Sequence, residues 1–294
     1  MKIVIAIPAF NEEKNIGPII LKLKKISENI IVCDDGSTDM TSEVAESLGA
    51  KVVKHSKNLG YGGAIKSLFL ECKKMDVDIM ITFDADGQHR IEDLEKLIEP
   101  IKNDVADIVI GSRFLDNETE IPKYRKIGVK AITKLTNVTG GMKISDSQSG
   151  LRAYNKKILQ NLQLTESGMG ISTEILIKAQ KSNYRIKEVA IKILYEGKTS
   201  SLNPISHGSS VIFSTLKIVA IDRPLTFYGI PGIFFLIIGL IFVGWAIQGY
   251  VENQSIITNI SLIGVGLTIL GFLFLLTASI LHSIVSIVGG RKID

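Results

Sequence analysis

The chain has 294 residues, a formal net charge of +4 and 46% hydrophobic residues. A charge this small argues against a nucleic-acid-binding surface, which needs a concentrated positive field. The length suits one sizeable α/β domain with an additional segment. Its two cysteines, Cys33 and Cys72, lack metal or redox spacing, so they predict neither kind of site.

Apolar runs alternate with helical periodicity in the first part of the chain. Strands are predicted at 2–7, 29–33, 51–54, 78–83 and 107–111, and helices at 14–27, 38–48, 63–74 and 91–102. This alternation predicts an α/β fold with a mostly parallel sheet covered by helices. Beyond residue 114 the pattern predicts a helix at 124–138, a strand at 149–154, a helix at 172–182 and a strand at 186–194.

The composition changes after Pro224. Residues 225–250 and 256–288 contain no Asp, Glu, Lys or Arg, and each run exceeds the roughly 20 residues that cross a bilayer. We therefore predict two transmembrane helices, preceded by an amphipathic interfacial helix within 206–224; the alternative is an apolar core hairpin. Glu252 lies in the link, whereas Arg223 and Arg291 flank the spans. The positive-inside rule then places both termini and the N-terminal domain in the cytoplasm.

Acidic residues follow the predicted strands at the ends where ligands of parallel sheets bind. Asp84 and Asp86 come directly after the fourth strand, and their hard oxygens suit Mg²⁺ or Mn²⁺ carrying a diphosphate. Asp34 and Asp35 end the second strand. Neither has an evident helix-capping role, so we expect them to accept hydrogen bonds from a base or ribose. Gly60, in the glycine-rich turn after the third strand, would allow a ligand close to the backbone.

Four motifs, IPAFNEE, DDGSTD, NLGYGGA and DADGQH, occur in this order. Together they resemble the GT-A fold of family 2 glycosyltransferases. With the two spans, the chain is similar to the polyprenyl/dolichyl-phosphate glycosyltransferases, and the resemblance covers essentially the whole chain. It implies a cytosolic GT-A domain at 1–205 and inverting transfer of a hexose from a UDP- or GDP-sugar to a polyprenyl phosphate. Mg²⁺ or Mn²⁺ is the implied cofactor.

The resemblance also implies roles for individual residues. The nucleotide site would contain Pro8, Ala9, Asn11, Glu12, Asp34, Asp35, Gly60, Asp84, Ala85 and Asp86. The metal would be held by Asp84, Asp86 and Gln88. The acceptor phosphate would be bound by Arg113, Arg125, Arg152 and Lys198. Catalysis would involve Asp86, Arg113 and Arg152, with Asp146 or Glu174 as the base if the acceptor were a hydroxyl.

Several alternatives stay open from the sequence. The acceptor could be a hydroxyl group, or the chain could be a non-catalytic sugar-nucleotide-binding scaffold. A processive polysaccharide synthase is disfavoured because it would carry a Q-x-x-R-W signature and more spans, whereas here Arg152 follows Gln148 four residues later and no Trp follows directly. A small transporter is disfavoured because His282 is the only ionisable residue within the spans apart from tyrosines. The sugar is open, with a slight preference for a UDP-sugar, and the glycines of the spans permit a homo-oligomer.

Overall fold

The computed structural model describes residues 1–116, 123–193, 216, 220–221, 224–255 and 258–290, without the side chains of 123–125, 253 and 288–290. The chain divides into two compact units, Met1–Thr215 and Leu216–Asp294.

The first unit is built on a seven-stranded sheet in the order β3-β2-β1-β4-β6-β5-β7. Its strands are β1 Ile3–Ala9, β2 Ile30–Asp34, β3 Lys51–Lys54, β4 Ile79–Thr82, β5 Ile108–Ser112, β6 Arg152–Asn155 and β7 Ile186–Ala190. Only the pairs made by β6 are antiparallel among these strands. The predicted mostly parallel α/β sheet is therefore confirmed. The strand predicted at 149–154 corresponds to β6, whose antiparallel direction periodicity does not reveal.

Seven helices of the first unit are described. They are α1 Glu13–Leu23, α2 Thr41–Ser47, α3 Tyr61–Lys74, α4 Leu94–Lys102, α5 Lys123–Gly140, α6 Lys156–Asn161 and α7 Ile171–Lys181. The amphipathic pattern of α4 shows why they form: Leu94, Leu97, Ile98 and Ile101 are buried in the core. Burying each such side chain is worth roughly 1.5–3 kcal/mol. The short α6 was not predicted, because six residues are too few for a helical period to stand out.

Helix α2 begins three residues later than the sequence predicts, at Thr41. The intervening residues form a turn instead. The Ser37 N–H donates to Asp34 Oδ1 at 2.8 Å, and the Thr38 N–H donates to Asn11 Oδ1 at 2.9 Å. These side-chain acceptors compete with helical hydrogen bonding, as Asp and Asn commonly do in turns.

The second unit contains two long apolar helices, Ile230–Asn253 and Thr258–Gly290, with a π-helical turn at Leu225–Gly229. The candidate spans, Leu225–Glu252 and Thr258–Ile287, are 28 and 30 residues long, and either could cross a bilayer by length and composition. In the most apolar 18-residue stretch of each helix, only 17% and 11% of the residues are buried, whereas the helices of a soluble core hairpin would be mostly buried. The two helices could therefore form a transmembrane hairpin.

Small residues bring the two apolar helices together. A Cβ at Gly239 would lie 2.5 Å from Thr268 N, and one at Gly271 would lie 2.5 Å from Leu236 N. These glycines are needed for the contact within the hairpin, as is common in membrane helices. Most of the predicted interfacial helix at 206–224 lies outside the described residues.

Candidate active site

The carboxyl ends of β1, β2 and β4 lie side by side. Ala9 of β1 is opposite Asp34 of β2, and Ala6 of β1 is opposite Thr82 of β4. From β1 the chain extends in one direction through β2 and β3, whereas β4 lies on the other side. The strand order thus reverses direction next to β1, and ligands of open α/β sheets bind outside the carboxyl ends of the strands at such a reversal. The topology thus brings the segment from Pro8 to Glu12 to the same edge as Asp84–Asp86.

Negative charge accumulates at this edge. Burial raises the pKa of Asp86, and the neighbouring Asp84 charge raises it further. Burial also raises the pKa of Glu12, to which the Asp86 charge contributes. Asp86 Oδ1 accepts a hydrogen bond from the Gln88 N–H at 3.0 Å. A bound cation would relieve the repulsion among these carboxylates.

The donor set fits a divalent cation shared with a diphosphate. Among the described residues, no group of three or more His, Cys, Asp or Glu side chains is arranged to hold a metal. Asp84 and Asp86 would therefore supply only part of a coordination shell. Mg²⁺ commonly uses one or two carboxylates and completes its shell with phosphate and water, and Mn²⁺ favours the same oxygen ligands.

Three neighbours restrict the Asp84 carboxylate, one of which is the Tyr61 side chain, whose hydroxyl donates a hydrogen bond to it. His89 Nε2 lies 3.1 Å from Asp84 Oδ2. On another side, a Cβ at Gly150 would lie 2.7 Å from Asp84 Cγ and Oδ1. Only a glycine at 150 leaves room for this carboxylate. Neither His89 nor Gly150 was selected from the sequence, although His89 directly follows Gln88 in the acidic motif.

Asp34 and Asp35 have structural roles that the sequence did not indicate. Asp34 is fully buried and accepts hydrogen bonds from the Ser37 N–H and the Ser42 hydroxyl. Asp35 accepts from the Leu59 N–H at 2.9 Å and the Gly60 N–H at 2.8 Å. Both carboxylates hold the loops at the strand ends, and their direct contact with a nucleotide stays a prediction.

His55 extends this network. Its Nδ1 lies 2.6 Å from Asp35 Oδ1, and its Nε2 lies 2.8 Å from Ser67 Oγ. The constellation has the residue types of a nucleophilic triad. However, the same Asp35 also binds the Gly60 loop, so we interpret the network as one that fixes this loop.

The glycine-rich turn is packed against protein backbone. A Cβ at Gly62 would lie 2.5 Å from Gly168 O, and one at Gly60 would lie 3.0 Å from Ser167 O. The Gly63 N–H donates to Ser167 O at 3.0 Å. Gly60 and Gly62 thus make room for the loop before α7, and the approach of a ligand to Gly60 stays a prediction.

Arg113, at the end of β5, forms a two-point ion pair with Asp146. Arg113 Nε donates to Asp146 Oδ2 at 2.6 Å, and Nη2 donates to Oδ1 at 2.8 Å. Burial alone would raise the pKa of Asp146, but the Arg113 charge and its hydrogen bonds hold this pKa below its usual value. Glu188 of β7 accepts from the Asp146 N–H at 2.9 Å and so anchors the same segment. Asp146 is therefore a partner of Arg113 and poorly suited to be a base.

Arg152 and Glu174 face internal partners rather than a ligand. Arg152 is 1% exposed and donates to the carbonyl oxygens of Ser147, Ser149 and Ser172. Glu174 is 2% exposed and accepts from the N–H groups of residues 165 and 166. Burial acts to raise the pKa of Glu174, but these hydrogen bonds and Lys178 hold it below its usual value. The structure thus assigns both side chains to fixing loops, which corrects the acceptor and base roles expected of them.

Two expected phosphate ligands cannot be compared with the structure. The side chain of Arg125 and the whole of Lys198 lie outside the described residues.

Comparison with known proteins agrees with this architecture. Residues 4–163 match the model of the family described as glycosyl transferase family 2. A UDP-N-acetylglucosamine–dolichyl-phosphate N-acetylglucosaminyltransferase of Methanococcus voltae is 38% identical over 66% of this chain and 86% of its own. A dolichyl-phosphate hexose transferase of Haloferax volcanii is 31% identical over 73% of this chain and 92% of its own.

Among solved structures, one similar fold is that of glucosyl-3-phosphoglycerate synthase from Mycobacterium tuberculosis, crystallised with Mn²⁺, UDP and phosphoglyceric acid. The TM-score is 0.59 at 20% identity, over 74% of this chain and 78% of that one. At this identity the likeness concerns the fold.

Proposed function

Because this chain belongs to glycosyl transferase family 2, we propose that it transfers a hexose from a nucleotide sugar to the phosphate of a polyprenyl or dolichyl lipid. Relatives from Methanococcus voltae and Haloferax volcanii carry names with a dolichyl-phosphate acceptor and match most of the chain. Their names support the acceptor class, and the chemistry of the site supports the reaction.

The observation that carries this proposal is a short connection between the acidic pair and Arg113. Gly150 is in close contact with Asp84, and Asp146, four residues earlier, binds Arg113 at two points. One segment thus joins carboxylates suited to a cation and diphosphate to an arginine suited to a second phosphate. A transferase that uses a lipid phosphate requires these two kinds of group near each other.

The donor would bind at the ends of β1 and β4. Pro8, Ala9 and Glu12 would line the nucleoside, while Asp34 and Asp35 hold the loops around it. Asp84 and Asp86, together with Gln88, would hold Mg²⁺ or Mn²⁺ against the diphosphate. The cation, when bound, neutralises the charge of the departing nucleoside diphosphate.

The acceptor chemistry follows from the carboxylates of the site. A phosphate monoester has a second pKa near 6, so it is already an anion at neutral pH and needs no strong base. This agrees with Asp146 and Glu174, whose pKa values are both lowered and whose partners are internal. Arg113 would orient the phosphate oxygen. That oxygen forms a bond to the anomeric carbon as the bond to the diphosphate breaks, which inverts the configuration.

Membrane attachment suits such an acceptor. We propose a catalytic domain at 1–205, an interfacial helix at 206–224 and spans at 225–250 and 256–288, with both termini cytoplasmic. The two apolar helices would tether the domain at the surface where the lipid phosphate lies. Residues 225–250 and 256–288 contain no Asp, Glu, Lys or Arg, which favours a bilayer as their surroundings.

A donor panel tests this function. Purified full-length protein is incubated with polyprenyl phosphate, Mn²⁺ or Mg²⁺, and each of several radiolabelled UDP- and GDP-sugars. We expect labelled lipid from one donor, with a UDP-sugar favoured, and loss of label with EDTA and with Asp86→Asn. Absence of labelled lipid from every donor, despite binding of a nucleotide, would contradict the proposal and favour a non-catalytic sugar-nucleotide-binding scaffold.

A further inference from the structure

His89 is fixed on three sides beside the acidic pair. Its side chain is 5% exposed, and Nε2 lies 3.1 Å from Asp84 Oδ2. Its ring packs edge-on against Phe83, with 5.6 Å between ring centroids. Its backbone forms an isolated antiparallel bridge with Ile193. A carboxylate accepts hydrogen bonds, so Nε2 is the ring nitrogen placed to donate to Asp84.

The second ring nitrogen of His89 indicates that packing is not its only role. Nδ1 is buried and has no hydrogen-bond partner among the described residues. An unpartnered buried polar atom is unfavourable. If the ring served only to fill space next to Phe83, a phenyl ring would do so without this disadvantage. The contact of Nε2 with Asp84 is the interaction that a phenyl ring could not make.

His89 and Gly150 restrict Asp84 from two sides, in addition to the hydrogen bond that the Tyr61 side chain makes with it. A Cβ at Gly150 would overlap the carboxylate, so the Asp84 carboxylate lies directly against the Gly150 backbone. The His89 contact is made with one oxygen of this carboxylate, Oδ2. Asp86 is held differently, through the Gln88 N–H of its own turn. The two carboxylates therefore have separate supports.

We propose that His89 is a positioning residue that holds the Asp84 carboxylate in the orientation in which it binds the divalent cation. This inference rests on the function proposed above. Outer partners of metal ligands commonly change metal affinity by about 10- to 100-fold when they are removed. His89 would act in this way without itself contacting the cation or the sugar.

Binding of Mn²⁺ to the full-length protein tests this role without an activity assay. Mn²⁺ is titrated in the presence of UDP or GDP and followed by electron paramagnetic resonance. His89→Phe keeps a ring against Phe83 but removes the donor, and His89→Gln keeps an N–H donor. We expect His89→Phe to weaken Mn²⁺ binding by on the order of 10-fold or more, and His89→Gln to restore part of the affinity.

Thermal unfolding of each variant separates positioning from folding. Mn²⁺ affinity equal to wild type in a folded His89→Phe protein would overturn the proposal and leave the proposed function intact. If His89→Phe does not fold, His89→Gln is compared with His89→Ala. The proposal would also be overturned if His89→Gln kept the wild-type unfolding midpoint but lost as much Mn²⁺ affinity as His89→Ala. Failure of the wild-type protein itself to bind Mn²⁺ would contradict the metal site of the proposed function, and the role of His89 with it.

Discussion

Asp84 and Gly150 lie so close that a Cβ at 150 would be 2.7 Å from the carboxylate carbon of Asp84. The two residues belong to different motifs, 66 positions apart in the chain. Their contact links the acidic pair after β4 to the segment that leads into β6. The position of one motif therefore depends on the absence of a side chain in the other.

Gly150→Ala should displace Asp84. We expect Mn²⁺ affinity in the presence of nucleotide to fall by roughly 10-fold or more, because the carboxylate must move to make room for the methyl group. Gly128→Ala is the matched control, since a Cβ there meets nothing within 4 Å. Similar Mn²⁺ affinities for the two variants, measured by titration, would show that the Asp84 position does not matter for the cation.

Arg113→Lys should impair use of the lipid phosphate. Lysine cannot reproduce the two-point contact with Asp146, and loss of a charged hydrogen bond typically costs about 1.5–3 kcal/mol. We expect kcat/KM for polyprenyl phosphate to fall by roughly 10- to 100-fold, with nucleotide affinity unchanged. Arg185→Lys is the control, because Arg185 pairs with Asp104 and Asp107 at the amino end of β7, whereas Arg113 follows the carboxyl end of the parallel strand β5. An equal loss in both variants would argue against a specific role for Arg113.

Glu174→Gln should leave the chemistry intact. Glu174 bonds to the loop before α7, so the expected effect is a lower unfolding midpoint with a transfer rate within a few-fold of wild type. A general base typically contributes about 10²- to 10⁴-fold. A loss of that size in a folded Glu174→Gln protein would instead favour a hydroxyl acceptor.

Asp107 should make stability depend on pH in the acid range. Its hydrogen bond with Arg185 is the largest of the effects that hold its pKa below the usual value. A lowered pKa stabilises the folded state above the unfolded value of about 3.9, and this contribution disappears as pH falls through the folded pKa. We expect Asp107→Asn to lower the unfolding midpoint at pH 7, with the difference from wild type shrinking below about pH 4.

Asp104, the exposed partner of Arg185, provides the comparison for Asp107. The Asp104 side chain is 77% exposed, and exposed ion pairs contribute little. Asp104→Asn should therefore change the midpoint less at every pH. A difference between wild type and Asp107→Asn that stays constant from pH 7 to pH 3 would contradict the assignment.

The sequence predicted the sheet well because its strands are short apolar runs between helices with clear periodicity. Asp84 and Asp86 were recognisable because they follow such a strand. The structural roles of Asp35 and Arg152 were missed because sequence shows which side chains can bind anions or hydroxyl groups, but not that backbone groups from distant loops already contact them. His89 and Gly150 were missed because their importance arises from a tertiary contact with Asp84.

The acceptor group that we propose is a lipid phosphate. The most direct test compares polyprenyl phosphate with polyprenol of the same chain length, using the full-length protein in phospholipid vesicles with its preferred labelled donor and Mn²⁺. We predict labelled product from polyprenyl phosphate and none above background from polyprenol. Labelling of polyprenol at a comparable rate would contradict a lipid-phosphate acceptor and would favour a hydroxyl acceptor.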